Sequence, residues 1–218
     1  GGEADVYAVA GRRAVAFKRY RDQRGGTTER ARKLQAMVAQ PPAEASPAAG
    51  HIAIAWPSAV VTDDGGAVVG FLMPAVDAAR TLPVFQLYNP QSRLAAAPGF
   101  NWRYLLRTAR NIAAIVDALH RAGYVVGDLN ESNLLVNRRA LVTLVDCDSM
   151  QVVDDSGVTY RCPVGKPEFL APEFHGHALA ATDRTEAGDR FALRRVRLRP
   201  RERGEDRARG VAQAVFEC

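Results

Sequence analysis

The chain has 218 residues, 47% of them hydrophobic and 24% charged, which suits one large core or two lobes and excludes a disordered polypeptide. It contains no run of about 18 apolar residues, so no membrane span is expected, and three scattered cysteines (Cys147, Cys162, Cys218) point away from a disulfide framework towards a reducing, cytoplasmic setting. The net charge of +5 comes from the end of the chain: residues 194–209 carry eight arginines, whereas residues 1–191 carry 21 basic and 20 acidic side chains, so the folded part is not expected to bind nucleic acid.

The chain opens "GGEADVY" without a methionine, as a fragment of a longer protein would, with partner domains elsewhere. "DVYAVA" and "AVAFKRY" alternate apolar and polar residues around "GRR", which predicts two strands and a tight turn. "TTERARKLQAMVA" predicts a helix, with Thr28 as its N-cap and Glu29 in the first turn, and "QPPAEASPAAG" ends it. "HIAIAWP" reads as a strand alternating through Ile52, Ile54 and Trp56, and "SAVVTDDGGAVVGFLMP" as a hairpin turning at Asp64, Gly65 and Gly66. The first 76 residues therefore form a small sheet with one helix.

The second part is expected to be mainly helical. In "NWRYLLRTARNIAAIVDALHRAG", Trp102, Leu105, Leu106, Ala109, Ile112, Ala113, Val116 and Leu119 recur at steps of three and four, one buried stripe between a cap at Asn101 and a stop at Gly123. "GDLNESNLLVNRRALVTLVD" then predicts a hairpin whose entrance and exit lie close in space. Asp128, Asn133 and Asp146 stand at those ends, and two carboxylates with an amide oxygen make a hard site suited to Mg²⁺ and ill suited to zinc. Taken singly, the same residues also serve as turn and strand-end residues.

"GDLNESNLLV" followed by "VTLVDCD" resembles the catalytic and metal-binding loops of eukaryotic-type protein kinases. The resemblance implies an α+β, two-lobed kinase-like fold and transfer of phosphate from ATP, with Mg²⁺, to protein Ser or Thr hydroxyls. Asp128 would orient the hydroxyl and accept its proton, while Asn133 and Asp146 would hold the metal. "AFK" resembles the family's Ala-x-Lys strand and makes Lys18 the phosphate anchor, with Val6, Ala16 and Leu135 along the nucleotide. "GGEADVY" is similar to the end of a glycine-rich nucleotide loop, bringing Gly1 and Gly2 to the phosphates. "GFLMP" looks like the strand leading to the interlobe hinge, with Met73 behind the adenine and Pro74 to Val76 along its edge. "GKPEFLAPE" resembles the segment that closes an activation loop, and "DRF" the start of a helix from which Asp189 would brace the catalytic loop. The phrase "VGDLNESN…VTLVD…YRCPVG" is most similar to bacterial kinase-domain proteins often fused to helix-hairpin-helix DNA-binding modules.

The chain departs from that pattern in several places. Val126-Gly127 replaces the usual His-Arg, which implies activity independent of phosphorylation at Ser149, Ser156, Thr159 or Tyr160. Asn130 stands where a lysine contacts the transferred phosphate, and Lys166 is expected to supply that charge from across the cleft. Asp148 replaces the glycine of the metal loop, Cys147 its aromatic residue, and Glu29 is the only acid in the first helix available to pair with Lys18. After "DRFAL" an arginine-rich run stands where a long apolar helix is required. A change of reading frame near Leu193 is the preferred account, with residues 77–193 forming an incomplete lobe, residues 194–218 a disordered basic tail, and bare apolar surface around the 102–120 helix. Two other functions stay open: a small-molecule phosphotransferase of the aminoglycoside or choline kinase type, and an inactive nucleotide-binding scaffold.

Overall fold

Residues 4–21, 28–45, 50–196 and 198 are described by the structure, a computed structural model. Gly1, Gly2 and most of the arginine-rich tail lie outside them. Strand β1 (Ala4–Ala8) turns through Gly11, whose φ of 72° needs no Cβ to accommodate it, into β2 (Val15–Tyr20). Helix α1 (Thr28–Ala39) follows, then β3 (Ala59–Thr62) and β4 (Val68–Pro74), whose turn is tied by the Asp63 carboxylate accepting from the backbone N–H groups of Gly65 and Ala67. These four strands form one antiparallel sheet in the order β1-β2-β4-β3. Tyr20, Leu34 and Phe71 form a small core between the sheet and α1.

Close approach sets the β2–β4 spacing at Gly70. A Cβ there would run into the Lys18 carbonyl oxygen well inside van der Waals contact and would come within 2.8 Å of the Phe17 ring. Glycine at 70 thus lets β4 lie against the stretch of β2 that carries Lys18.

The larger, mainly helical part is built from β5 (Thr81–Pro83), α2 (Pro90–Ala96), α3 (Trp102–Arg121), β6 (Leu134–Asn137), β7 (Val142–Leu144), β8 (Val152–Val153), β9 (Thr159–Tyr160) and α4 (Glu186–Arg195). Asn101 caps α3 by accepting from Arg103 N–H, and Gly123 ends it at φ 81°. Leu105, Ala109, Ile112, Val116 and Leu119 are buried as the periodicity requires, each large side chain contributing about 1.5–3 kcal/mol on leaving water. The architecture is mixed α and β, two-lobed and kinase-like, sheet-rich first and helical later.

Three expectations change. Residues 51–57 form no strand of a sheet; they are a strap along β7, with Ala55 N–H donating to the Leu144 carbonyl and Leu144 N–H to that of Ala53. Ile54, Ala55 and Trp56 are all buried, because the strap is packed on both sides: the Trp56 indole N–H donates to the Met37 carbonyl of α1, and its ring meets Tyr124 edge-on at 4.7 Å. Thr28 is the first residue of α1 itself. The α3 stripe is also not bare: Ala192, Leu193, Val196 and Leu198 join its core, and no large apolar residue among the exposed described ones belongs to α3. Among the described residues no helix is long and apolar enough to cross a membrane.

Candidate active site

The loop between α3 and β6 is held from beneath by Asp189, which α4 presents near its N-terminus with only 2% of its surface exposed. Its two carboxylate oxygens accept from the backbone N–H groups of Val126 and Gly127, each at 2.8 Å, and the His120 ring lies 2.9 Å away. A buried carboxylate with three partners fixes the backbone just before Asp128.

The Asp128 side chain is itself surrounded by donors. The Asn130 amide donates to its backbone carbonyl at 3.1 Å and its carboxylate at 3.0 Å, and the Asn133 amide donates to the same two groups at 3.2 and 3.4 Å. Burial raises the Asp128 pKa; these hydrogen bonds and the Lys166 charge oppose the rise without cancelling it. Asn130 is 2% exposed and its amide is taken up by Asp128 and by Ser132 N–H, so it orients Asp128 and does not reach out as the phosphate-contacting donor expected from the sequence. The Lys166 ammonium bonds Glu131 at 2.9 Å and Ser132 at 2.8 Å, bringing a cation beside the loop already paired with an acid.

The β6–β7 hairpin forms as expected, with Leu134 opposite Leu144. Val145 N–H donates to the Asn133 carbonyl at 2.9 Å, which brings the backbone entering the hairpin beside the backbone leaving it for Asp146. Asp146 adopts φ 58° and ψ 37°, a left-handed conformation uncommon outside glycine, and opens a three-residue 3-10 turn, Cys147–Ser149. Its Oδ1 lies 3.0 Å from the Lys18 ammonium, with about half the side chain exposed. Two residues on, Asp148 Oδ1 lies 2.6 Å from the same ammonium, and its Oδ2 accepts from the Tyr20 hydroxyl at 2.9 Å. Burial acts to depress Lys18, but the Asp148 and Asp146 charges outweigh it and hold its pKa above the ordinary value.

The acid that pairs with Lys18 is therefore Asp148, and Glu29 is exposed on α1. Of the residues that α1 buries, Lys33 is the charged one, at 8% exposure, with its pKa pushed down by burial. The sequence does hold a signal for the Asp148–Tyr20 pair. Lys18 and Tyr20 are two apart on one strand and so share a face, and a second acid follows Asp146 at the same spacing.

Directly opposed strand residues share a sheet face. Val6 faces Lys18 and Ala16 faces Met73, so these four lie on the side of the sheet that carries the ammonium. Val6 is 59% exposed whereas Ala16 is buried. Pro74 opposes Val15 and falls on the other face, Val76 is half-buried beyond the strand, and Leu135 is half-buried in β6 between Pro83 and Thr143. Lys18 and Asp146 thus meet directly, as do Asp128, Asn130 and Asn133, but no hydrogen bond or ion pair joins Asp128 to Asp146. Cys147 is buried, its thiol raised by desolvation, and His175 and His177 are exposed.

Among the described residues no group of three or more His, Cys, Asp or Glu could hold a metal ion. The hard oxygen donors that could hold one are the Asp146 carboxylate, which accepts from Lys18, and the Asn133 amide oxygen. A pair of hard oxygens suits a magnesium ion that keeps waters and binds phosphates for the rest of its shell.

No family model matches the chain. Protein kinase YegI of Escherichia coli (strain K12) is 37% identical over 142 residues, covering 64% of this chain and 22% of that protein. Citron rho-interacting kinase of Rattus norvegicus is 34% identical over 58 residues, 27% of this chain and 3% of its own. Serine/threonine-protein kinase mrck-1 of Caenorhabditis elegans is 34% identical over 59 residues, 27% and 4% respectively. The chain spans about a fifth of the length of the YegI relatives. Fold and relatives together support a kinase-like domain.

Proposed function

We propose that this domain transfers the terminal phosphoryl group of ATP, with Mg²⁺, to a Ser or Thr hydroxyl of a protein. The observation that carries the reading is the Lys18–Asp146 contact at 3.0 Å, which joins the sheet to the loop that follows the catalytic-type hairpin. Lys18 would hold the nucleotide phosphates, with Val6, Ala16, Met73, Val76 and Leu135 along the base and sugar. Asn133 and Asp146 would hold the metal ion, which when bound neutralises charge on the phosphates. Asp128, turned by Asn130 and Asn133, accepts the proton of the acceptor hydroxyl as its oxygen bonds to phosphorus and the bond to the departing ADP oxygen breaks. A carboxylate raised by burial is a stronger base for that proton than a solvated one. Two buried free cysteines suit a reducing compartment such as the cytoplasm.

The test is turnover of labelled ATP by the 218-residue chain, offered peptides bearing Ser and Thr in one set and amino-alcohols in another. Transfer to peptide that Asp128→Asn abolishes supports the reading. Transfer to amino-alcohols alone identifies a small-molecule phosphotransferase instead. Stabilisation by Mg-ATP with no transfer to either set identifies a nucleotide-binding scaffold.

A further inference from the structure

Position 127, where the resemblance leads one to expect an arginine, has no room for any side chain. Gly127 sits at φ 70°, and a Cβ on it would come within 2.7 Å of Cys162 Cβ, 2.9 Å of Cys162 Sγ and 3.1 Å of Arg184 Cγ. The space is filled by Cys162 and by the stem of an arginine from a different part of the chain. Arg184 is 4% exposed, and among the described residues no carboxylate pairs with it. Its Nη2 donates to the Val164 carbonyl at 2.7 Å, its guanidinium lies 5.1 Å from the centre of the Phe174 ring, and its Nε is buried without a hydrogen-bond partner. A buried cation so sparsely paired is costly, and an apolar side chain of the same length would fill the space without that cost.

Both ends of Arg184 tie separate segments together. Its backbone exchanges two hydrogen bonds with the Gln151 side chain, at 2.7 and 3.1 Å, and the Gln151 backbone pairs with Val125 at the base of the catalytic loop. Its guanidinium holds Val164, two residues before Lys166, whose ammonium bonds Glu131 and Ser132 of the catalytic loop. A Cβ on Gly165 between them would lie 2.7 Å from Leu170 and 3.2 Å from Arg184 Nη2, so a side chain there would displace both side-chain ends.

We infer that Arg184 is a positioning residue for phosphoryl transfer, a permanent latch that holds residues 162–166 against the catalytic loop and so keeps the Lys166 ammonium on Glu131 and Ser132 beside Asp128. The inference rests on the phosphotransfer reading for its consequence and on geometry alone for the latch. A guanidinium–carbonyl bond is present whether or not any hydroxyl nearby is modified, so the segment requires no added phosphate to stay in place.

The experiment compares Arg184→Met and Arg184→Lys with the unaltered 218-residue chain, by amide hydrogen exchange and by transfer kinetics. In Arg184→Met, exchange of the Phe169 and Leu170 amides, which donate to the Lys166 carbonyl, should quicken about tenfold or more while α3 amides change less than about twofold. The kcat should fall about 10–100-fold with the KM for ATP within about twofold, and Arg184→Lys, which keeps the charge and one donor group, should lie between. Exchange at 169–170 that stays unchanged, or that quickens equally in α3, overturns the latch. If Arg184→Met does not fold, the same exchange ratio in Arg184→Lys decides. An unaltered chain without turnover overturns the phosphotransfer reading, and the exchange arm then decides the latch by itself.

Discussion

The Lys18 ammonium lies 2.6 Å from Asp148 Oδ1, closer than its 3.0 Å approach to Asp146. The Asp148 carboxylate is little exposed and held on its other oxygen by Tyr20, so it fixes Lys18 from the loop side of the cleft without help from α1. Replacing Asp148 by Asn leaves a largely buried ammonium facing a neutral amide, a loss of about 1.5–3 kcal/mol in a charge-assisted bond. With phosphoryl transfer as the reaction, kcat/KM should fall about 10–100-fold in Asp148→Asn, and Glu29→Gln should stay within about twofold. Equal losses in the two variants would return the pairing role to α1.

Gly70 should tolerate no side chain. Gly70→Ala must push β4 from β2 or rotate the Phe17 ring, because the new methyl meets the Lys18 carbonyl oxygen. The expected cost is about 2–4 kcal/mol, seen as a lower Tm or denaturant midpoint. A variant as stable as the unaltered chain would show that the two strands can separate without penalty.

The Asp189 carboxylate accepts two backbone N–H groups and lies beside His120 in a buried site. Asp189→Asn brings an amide NH₂ against a backbone donor and should cost about 2–4 kcal/mol. Exchange of the Val126 and Gly127 amides should quicken more than that of the β1–β4 sheet. Uniform quickening throughout would mean that Asp189 serves general packing rather than the loop.

Low pH should loosen the β8–β9 hairpin selectively. The Asp154 carboxylate accepts from Ser156 Oγ at 2.6 Å, from the Val158 and Ser156 N–H groups and from the Tyr160 hydroxyl at 2.9 Å, and the Ser156 hydroxyl first among these lowers its pKa to about 2 from 3.8. A depressed carboxylate stabilises the fold fully above its unfolded pKa and loses that contribution as pH falls towards the folded value. The Tm difference between the unaltered chain and Asp154→Ala should therefore shrink between about pH 4 and pH 2. A difference constant across that window would show that the carboxylate charge is not what holds the turn.

Local pattern determined much of this protein. The capped, three-and-four periodic α3, the Asp63–Gly66 turn and the β6–β7 hairpin are encoded within short stretches, because a cap, a turn residue or an alternation acts on its neighbours. The grouping of Asn133 with Asp128 was legible in their five-residue spacing, and the resemblance implied the bracing contact of Asp189, which folding brings in from 62 positions away.

Only the tertiary structure decided which acid pairs with Lys18, because Asp146 and Asp148 lie 128 and 130 positions away and their side chains meet it only when the lobes pack. The strap at 51–57 lost its expected alternation for the same reason: neighbours on both sides buried Ile54, Ala55 and Trp56 alike. Gly127, with Cys162 and Arg184 against it, is a further case. Their complementarity is a matter of volume, and a glycine in a sequence does not reveal which distant side chain occupies the space it leaves.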